Sequence, residues 1–144
     1  MYIIYKSKQK MSFTFLSIYF LVVIILLYLL KINFNYLWLT LLIFDIFFIL
    51  NFYELVFRVT NEGIEFGFGI FKRSIKKEYL NSVYMDNSIG NFFGLGIISK
   101  NKKYAFIAKK GDGLNIKLKN NINFFVSTDD AEQIINIIKK EKYV

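Results

Sequence analysis

Two of the side chains that most often take part in catalysis, His and Cys, are absent from this sequence. The 144-residue chain has 19 Lys and Arg, 11 Asp and Glu, no His and no Cys. Without His and Cys, the Ser-His and Cys-His triads and zinc–thiolate sites are excluded. The acids, lysines and serines that remain are not accompanied by a partner base, so we expect neither an enzyme nor a bound cofactor.

The densest group of cations is the best candidate for a binding site. It comprises Lys72, Arg73, Lys76 and Lys77. Near an anionic membrane surface each such side chain contributes about 1 kcal/mol. The alternative is a solvated turn that follows the excess of Lys and Arg in cytoplasmic loops. The two interpretations are compatible, and both are kept.

Three other patterns are weaker. Gly111-Asp112-Gly113 has neither the P-loop pattern nor the EF-hand ligand spacing, and a tight turn is the better interpretation. Asp129 and Asp130 are better explained by helix capping than by metal binding. The net charge of +8 fits nucleic acid superficially, but three of these charges lie in residues 1–10, beside an apolar segment. We therefore predict no metal and no nucleic-acid partner.

Two apolar segments predict a membrane hairpin. Residues 11–30 carry no charge, and about 20 apolar residues span the roughly 30 Å hydrocarbon layer. A signal peptide is the alternative, but the segment is long for one and no small-residue cleavage site follows it. Residues 36–53 form a second span with one charge. Because the loop of residues 31–35 is short, the two helices should be antiparallel neighbours.

The flanking charges predict the orientation of the hairpin. The loop contains one cation, Lys31, whereas residues 1–10 contain three lysines, and Lys and Arg also follow the second span. Cytoplasmic flanks are rich in these residues. We therefore expect a multi-pass protein of the cell (inner) membrane with both termini, residues 1–10 and 54–144, in the cytoplasm.

The one charge within the spans, Asp45, lies near the middle of the second. An unpaired charge there costs several kcal/mol. Matching the midpoints of the two spans places Asp45 opposite Tyr19 and Phe20, and Tyr19 could hydrogen-bond the carboxyl group. One interpretation is a proton or ion relay. The favoured one is a protonated acid that joins helices or drives oligomerisation.

Residues 54–144 read as a small β-rich domain with a final helix. Short segments alternate between apolar and polar residues, as ELVFRVT does at 54–60, and turn residues separate them. About seven strands are predicted. From Ala131 the spacing i, i+3, i+4, i+7 predicts an amphipathic helix, with Asp130 as its N-cap and Gln133 as the capping-box partner.

Several motifs of this domain resemble bacterial pleckstrin-homology-like (PH-like) domains that follow membrane helices. They are FRVTNEGIE at 57–65, GIFKRSI at 69–75, YLNSV at 79–83, GLGI at 94–97, KGDGL at 110–114 and VSTDD at 126–130. The resemblance implies a mainly β, α+β fold, an antiparallel barrel of about seven strands closed by a C-terminal helix. The short acidic loop at 61–63 argues against a phosphoinositide pocket of the eukaryotic kind.

Three functions remain open from the sequence. The first is a membrane-tethered binding or scaffold module that contacts other membrane proteins, a second copy or lipid headgroups. The second is an immunity or resistance protein against membrane-active bacteriocins, suggested by the compact hairpin and the cationic surface. The third is an oligomeric ion or proton pathway centred on Asp45.

Overall fold

The computed structural model describes residues 2–86 and 95–143, which form three α-helices and nine strands. Of the predicted loop at 86–93 only Asp86 is described, whereas the GLGI motif at 94–97 is described except for Gly94. The elements in chain order are β1 (Ile3–Lys10), α1 (Phe13–Ile32), α2 (Tyr36–Phe52), β2 (Glu54–Thr60), β3 (Gly63–Phe68), β4 (Phe71–Lys76), a 3-10 helix (Lys77–Tyr79), β5 (Leu80–Asp86), β6 (Gly96–Lys100), β7 (Lys103–Ile107), β8 (Gly113–Leu118), β9 (Asn123–Ser127) and α3 (Ala131–Lys140). The two apolar helices are thus inserted between the first strand and the second.

The strands form two sheets. The first is an antiparallel meander in the order β1-β2-β3-β4, and the second has the order β5-β8-β9-β7-β6. Strands β7 and β9 pair in parallel, whereas the other ladders among the described residues are antiparallel. The β-rich domain with its C-terminal helix is confirmed. Nine strands in two sheets exceed the expected number of about seven. Strand β1 lies in residues 1–10, where the sequence analysis predicted no strand.

The hydrophobic core joins the two sheets and α3. Aromatic rings from both sheets meet at its centre, where Phe66 lies 6.0 Å from Phe57, 5.1 Å from Phe106 and 5.4 Å from Phe124 between ring centroids. The apolar stripe of α3 closes this core, since Ile134 and Ile138 are fully buried. The predicted stripe is therefore correct, and it fixes α3 against the strands.

Strand β1 is held in the domain by polar contacts of its inward side chains. Ser7 Oγ donates to Asp130 Oδ2 at 2.5 Å, and Ser127 Oγ donates to Gln9 Oε1 at 2.5 Å. Tyr5 adds a hydrogen bond from its hydroxyl to Gln133 Oε1 at 2.9 Å. Ser7 and Gln9 are buried, and buried polar groups are expensive to leave without partners. The first residues of the chain are thus fastened to its last quarter.

These contacts correct the predicted capping box. Asp130 is the N-cap of α3, but its side chain makes no capping hydrogen bond and instead accepts from Ser7. The Gln133 side chain accepts from Tyr5 instead of reaching back to the N-cap. Both side chains serve tertiary contacts with β1, which outweigh the local interaction that the sequence pattern predicts.

The helix pair continues directly from β1 and β2. Lys10 is paired with Glu54, the Met11 amide donates to the Tyr53 carbonyl at 2.9 Å, and the Ser12 amide donates to the Ala108 carbonyl at 2.9 Å. No loop therefore separates the sheet from the helices. At the far end of the pair, Asn35 caps α2 by accepting from the Leu37 amide at 2.9 Å.

Among the described residues, α1 is the one helix long and apolar enough to cross a membrane by length and composition. Its 20 residues span about 30 Å. Only 6% of its most apolar window is buried in the protein, so it is not the core helix of a soluble domain. Helix α2 is apolar but shorter, with 17 residues.

Replacing residues 12–52 by an Asn-Gly turn should leave a folded domain. Because Met11 and Tyr53 are already joined by a hydrogen bond, a two-residue type I′ turn can close the β1–β2 hairpin. We expect this shortened chain to stay in solution without detergent and to unfold cooperatively by circular dichroism. The same chain without residues 2–11 is the control and should aggregate. Non-cooperative unfolding of the variant that keeps β1 would contradict the fold.

Tyr143 should make stability fall at alkaline pH. Burial above all, followed by Glu141 and Tyr2, raises the pKa of its hydroxyl above the usual 10.0. The folded state therefore retains the proton longer, and this stabilisation is complete below about pH 10 and is lost as the pH rises through the raised pKa. The hydroxyl donates to the Thr60 carbonyl. Tyr143→Phe should cost about 1 kcal/mol at neutral pH and flatten the alkaline decline in urea unfolding. An unchanged alkaline slope would contradict this assignment.

Candidate functional site

The structure divides the predicted basic cluster between two faces of β4. Lys72, Ser74 and Lys76 lie on the outer face, because they pair with the outward residues of β3. Arg73 pairs with the buried Phe66 and so lies on the opposite face, although it is exposed at the sheet edge. Lys77 lies in the 3-10 helix that follows. Two of the four predicted residues therefore share a surface.

The three N-terminal lysines share that surface. In one row across the sheet Lys8 pairs with Val56, which pairs with Gly67, which pairs with Lys72. Residues directly opposite in antiparallel strands point to the same side. Lys6 and Lys10 lie on the same side, since side chains alternate along a strand. We call this surface the basic face; its cations are Lys6, Lys8, Lys10, Arg58, Lys72 and Lys76.

The basic face carries an excess of positive charge. Its two carboxylates are both in ion pairs, Lys8 Nζ with Glu54 Oε2 at 2.8 Å and Arg58 Nη1 with Glu65 Oε2 at 3.4 Å. Among residues 2–86 and 95–143, no carboxylate lies within 4.0 Å of the ammonium groups of the face's other four cations. These four lysines (Lys6, Lys10, Lys72 and Lys76) are therefore free to meet an external anion.

The shape of the basic face suits a broad partner. An open hollow of about 300 Å³ lies at one end beside Lys76 and Lys77. The cavity at the centre of the face, lined by Val56, Arg58, Glu65, Phe66 and Lys72, holds only about 10 Å³. That is about the space one water molecule requires, whereas small-molecule sites are typically several hundred Å³. A flat cationic sheet face instead matches an extended acidic surface.

Asp45 and Tyr19 line one groove between α1 and α2, whereas Phe20, which the matched midpoints also placed opposite Asp45, is 60% exposed. The groove has a volume of about 320 Å³, and its other walls are apolar. Tyr19 stacks on Phe48 with ring centroids 5.1 Å apart. Asp45 Oδ2 is buried and has no hydrogen-bond partner, so the suggested bond from Tyr19 does not satisfy this oxygen. Among the residues that the structure describes, no other carboxylate and no Lys or Arg lines the groove.

The two remaining acidic candidates are engaged within the protein. Asp129 lies 3.5 Å from Lys109 Nζ, and Asp130 accepts from Ser7. Within the part of the chain that the structure describes, no three His, Cys, Asp or Glu side chains are grouped to hold a metal ion. These acids therefore join elements of the fold.

Comparison with known proteins gives no relative: no family model, no curated protein and no solved structure matches the chain.

Sequence reasoning missed four of the six cations of the basic face, the three lysines of β1 and Arg58 of β2. It treated the lysines of residues 1–10 as membrane-flanking charge and the lysines of β4 as a separate cluster. The signal was present, because Lys6, Lys8 and Lys10 alternate as strand residues do. Only the register of β1 against β2 brings them beside Lys72.

The two ion pairs of the basic face should contribute little to stability. Both are partly exposed, and such pairs are worth up to about 1 kcal/mol. We expect Glu54→Gln and Glu65→Gln each to change the free energy of unfolding in detergent by less than that. Ile134→Ala, which empties a buried site, provides the reference at about 2–5 kcal/mol. If either Gln variant lost as much free energy of unfolding as Ile134→Ala, the ion pairs would be important for holding the sheet together, contrary to this prediction.

Proposed function

We propose that this chain is a two-pass membrane protein that holds a PH-like binding module at the membrane surface, where its basic face takes acidic partners. The observation that carries the proposal is the pairing of β1 with β2 in one sheet, on either side of the helix pair.

This pairing bears on how often the chain crosses the membrane. If α1 alone crossed, β1 and β2 would lie on opposite sides and could not share a ladder. The helices therefore cross together or not at all. The length of α1 and its exposed apolar surface favour crossing. With 17 residues, α2 is at the short end of the range that spans.

The same pairing opposes a cleaved signal peptide. Cleavage after α1 would remove β1 together with the buried Ser7 and Gln9. Their partners, Asp130 and Ser127, would then lose hydrogen bonds in the domain. The segment is better explained as a permanent part of the fold.

The charge distribution supports a cytoplasmic domain in a bacterial cell membrane. The turn that joins the helices contributes Lys31 at its edge, whereas β1 alone contributes three lysines at the domain end. Flanks rich in Lys and Arg stay in the cytoplasm. Both termini would then be cytoplasmic.

The arrangement of sheets supports the PH-like part of the proposal. A four-strand meander faces a second sheet, and an amphipathic C-terminal helix closes the core between them. Such a domain has no catalytic residues in this account and acts by binding.

Much of the basic face lies beyond the reach of the membrane's own charge. Lys6 lies four residues before Lys10, about 13 Å along β1, and Lys76 is equally far along β4 from Lys72. Screening at physiological salt acts over about 8 Å. The cations far from the helices are therefore available to an acidic protein surface at the membrane. Tethering raises the local concentration of such a partner that shares the membrane.

Reversing charge on the far part of the face should weaken binding of an acidic probe. The full chain is placed in nanodiscs of neutral lipid, and a fluorescent peptide of ten glutamates is titrated by anisotropy. Lys6→Glu with Lys76→Glu should weaken binding about tenfold, since each lost contact is worth up to about 1 kcal/mol.

The matched control changes the same charge elsewhere. Lys139→Glu with Lys140→Glu alters the exposed last turn of α3. We expect a much smaller loss there. An equal loss of affinity in both double variants would mean that the peptide responds only to the net charge of the protein. The basic face would then not be the binding site.

A further inference from the structure

The turn between β3 and β4 is fastened to the last turn of α2. The Ile70 amide donates to Asn51 Oδ1 at 3.3 Å. Gly69 has φ +40°, and a Cβ there would lie 2.7 Å from the Asn51 carbonyl oxygen, so only glycine allows this approach. The ring centroids of Phe52 and Phe71 lie 5.4 Å apart. The turn is thus held beside the end of an apolar helix.

This turn presents large apolar side chains that remain largely exposed. Ile70 is 68% exposed and Phe71 is 42% exposed. Phe13, in the first turn of α1, is 85% exposed on the same end of the helix pair. Apolar side chains exposed together beside apolar helices are expected where a protein meets a bilayer.

Three lysines lie near the end of the helix pair that meets the sheets. Lys10 Nζ lies 5.9 Å from the centroid of the Tyr53 ring, and Lys72 follows Phe71 on β4. Lys110 lies two residues after Ala108, whose carbonyl accepts from the Ser12 amide at the start of α1. These three cations come from separate parts of the sequence. Lys side chains beside aromatic and aliphatic ones are typical of the headgroup layer.

We propose that Ile70 and Phe71 insert into the interfacial layer of the membrane that holds the hairpin, and that Lys10, Lys72 and Lys110 contact anionic phospholipid headgroups there. This inference rests on the proposed two-pass anchor and adds to it a lipid-binding surface, formed by these five residues where the domain meets the helix pair. The occupant is the anionic leaflet itself, because the surface is continuous with the helix pair and its charge is complementary. Contact between this end of the domain and the bilayer would fix how far Lys6 and Lys76, at the other end of the basic face, lie from the membrane.

The experiment uses the full chain in nanodiscs, either neutral or containing half phosphatidylglycerol. The sequence has no Cys, so Ile70→Cys accepts a single environment-sensitive NBD label. Tyr79→Cys is the matched control, since Tyr79 is 56% exposed but lies beyond the far end of β4. Nitroxide-labelled lipid quenches both NBD and the single Trp38, which reports independently whether α2 is in the bilayer.

We expect the label at position 70 to be blue-shifted and quenched in anionic discs, and the label at position 79 to behave as in water. Exchanging Lys10, Lys72 and Lys110 for Gln should reduce the quenching at position 70, since each Lys changes partitioning to an anionic surface about fivefold. Trp38 should be quenched in every disc.

Two results would overturn the inference while the anchor stands. One is a water-like label at position 70 with Trp38 quenched, which means that the turn does not enter the membrane. The other is equal quenching at position 70 in neutral and anionic discs, which means that the lysines do not read headgroup charge. An unquenched Trp38 would instead overturn the two-pass anchor and this inference with it.

Discussion

The pairing of β1 with β2 across an inserted helix pair is the constraint on which the rest of the structure depends. The two strands are adjacent in the sheet but 43 residues apart in the chain, and the whole apolar segment occupies the position of a hairpin loop. Two strands that lie on opposite sides of a bilayer cannot share a ladder of backbone hydrogen bonds. If the helices enter a membrane, as we propose, this pairing requires that they enter and leave it on the same side.

The same constraint makes the domain and the helix pair one mechanical unit. Ser12 is bonded to Ala108, and Asn51 to the turn at Ile70, so the base of the helices is held from both sheets. Side chains at opposite ends of the chain meet as well, since Ser7 is bonded to Asp130. In the proposed membrane anchor, a face of such a unit would keep a fixed orientation relative to the bilayer, in contrast to a domain on a flexible linker.

The sequence predicts those features that depend on local pattern. Alternation was enough for β2 and a 3.6-residue period for α3, because their apolar sides face one common core. Strand β1 was not predicted from the sequence, although its lysines alternate, because its inward residues Tyr5, Ser7 and Gln9 are polar and bond to partners more than 100 residues away. The basic face depends on strand register, which turn chemistry and long-range packing set together.

The most direct test of the central claim is the sidedness of three positions. Because the chain has no Cys, Lys6→Cys, Asn33→Cys and Lys140→Cys can each be labelled with a membrane-impermeant maleimide in intact bacterial cells and after lysis. The account predicts labelling of the Asn33→Cys variant in intact cells and of the other two only after lysis. Labelling of positions 6 and 140 on opposite sides of the membrane would contradict it.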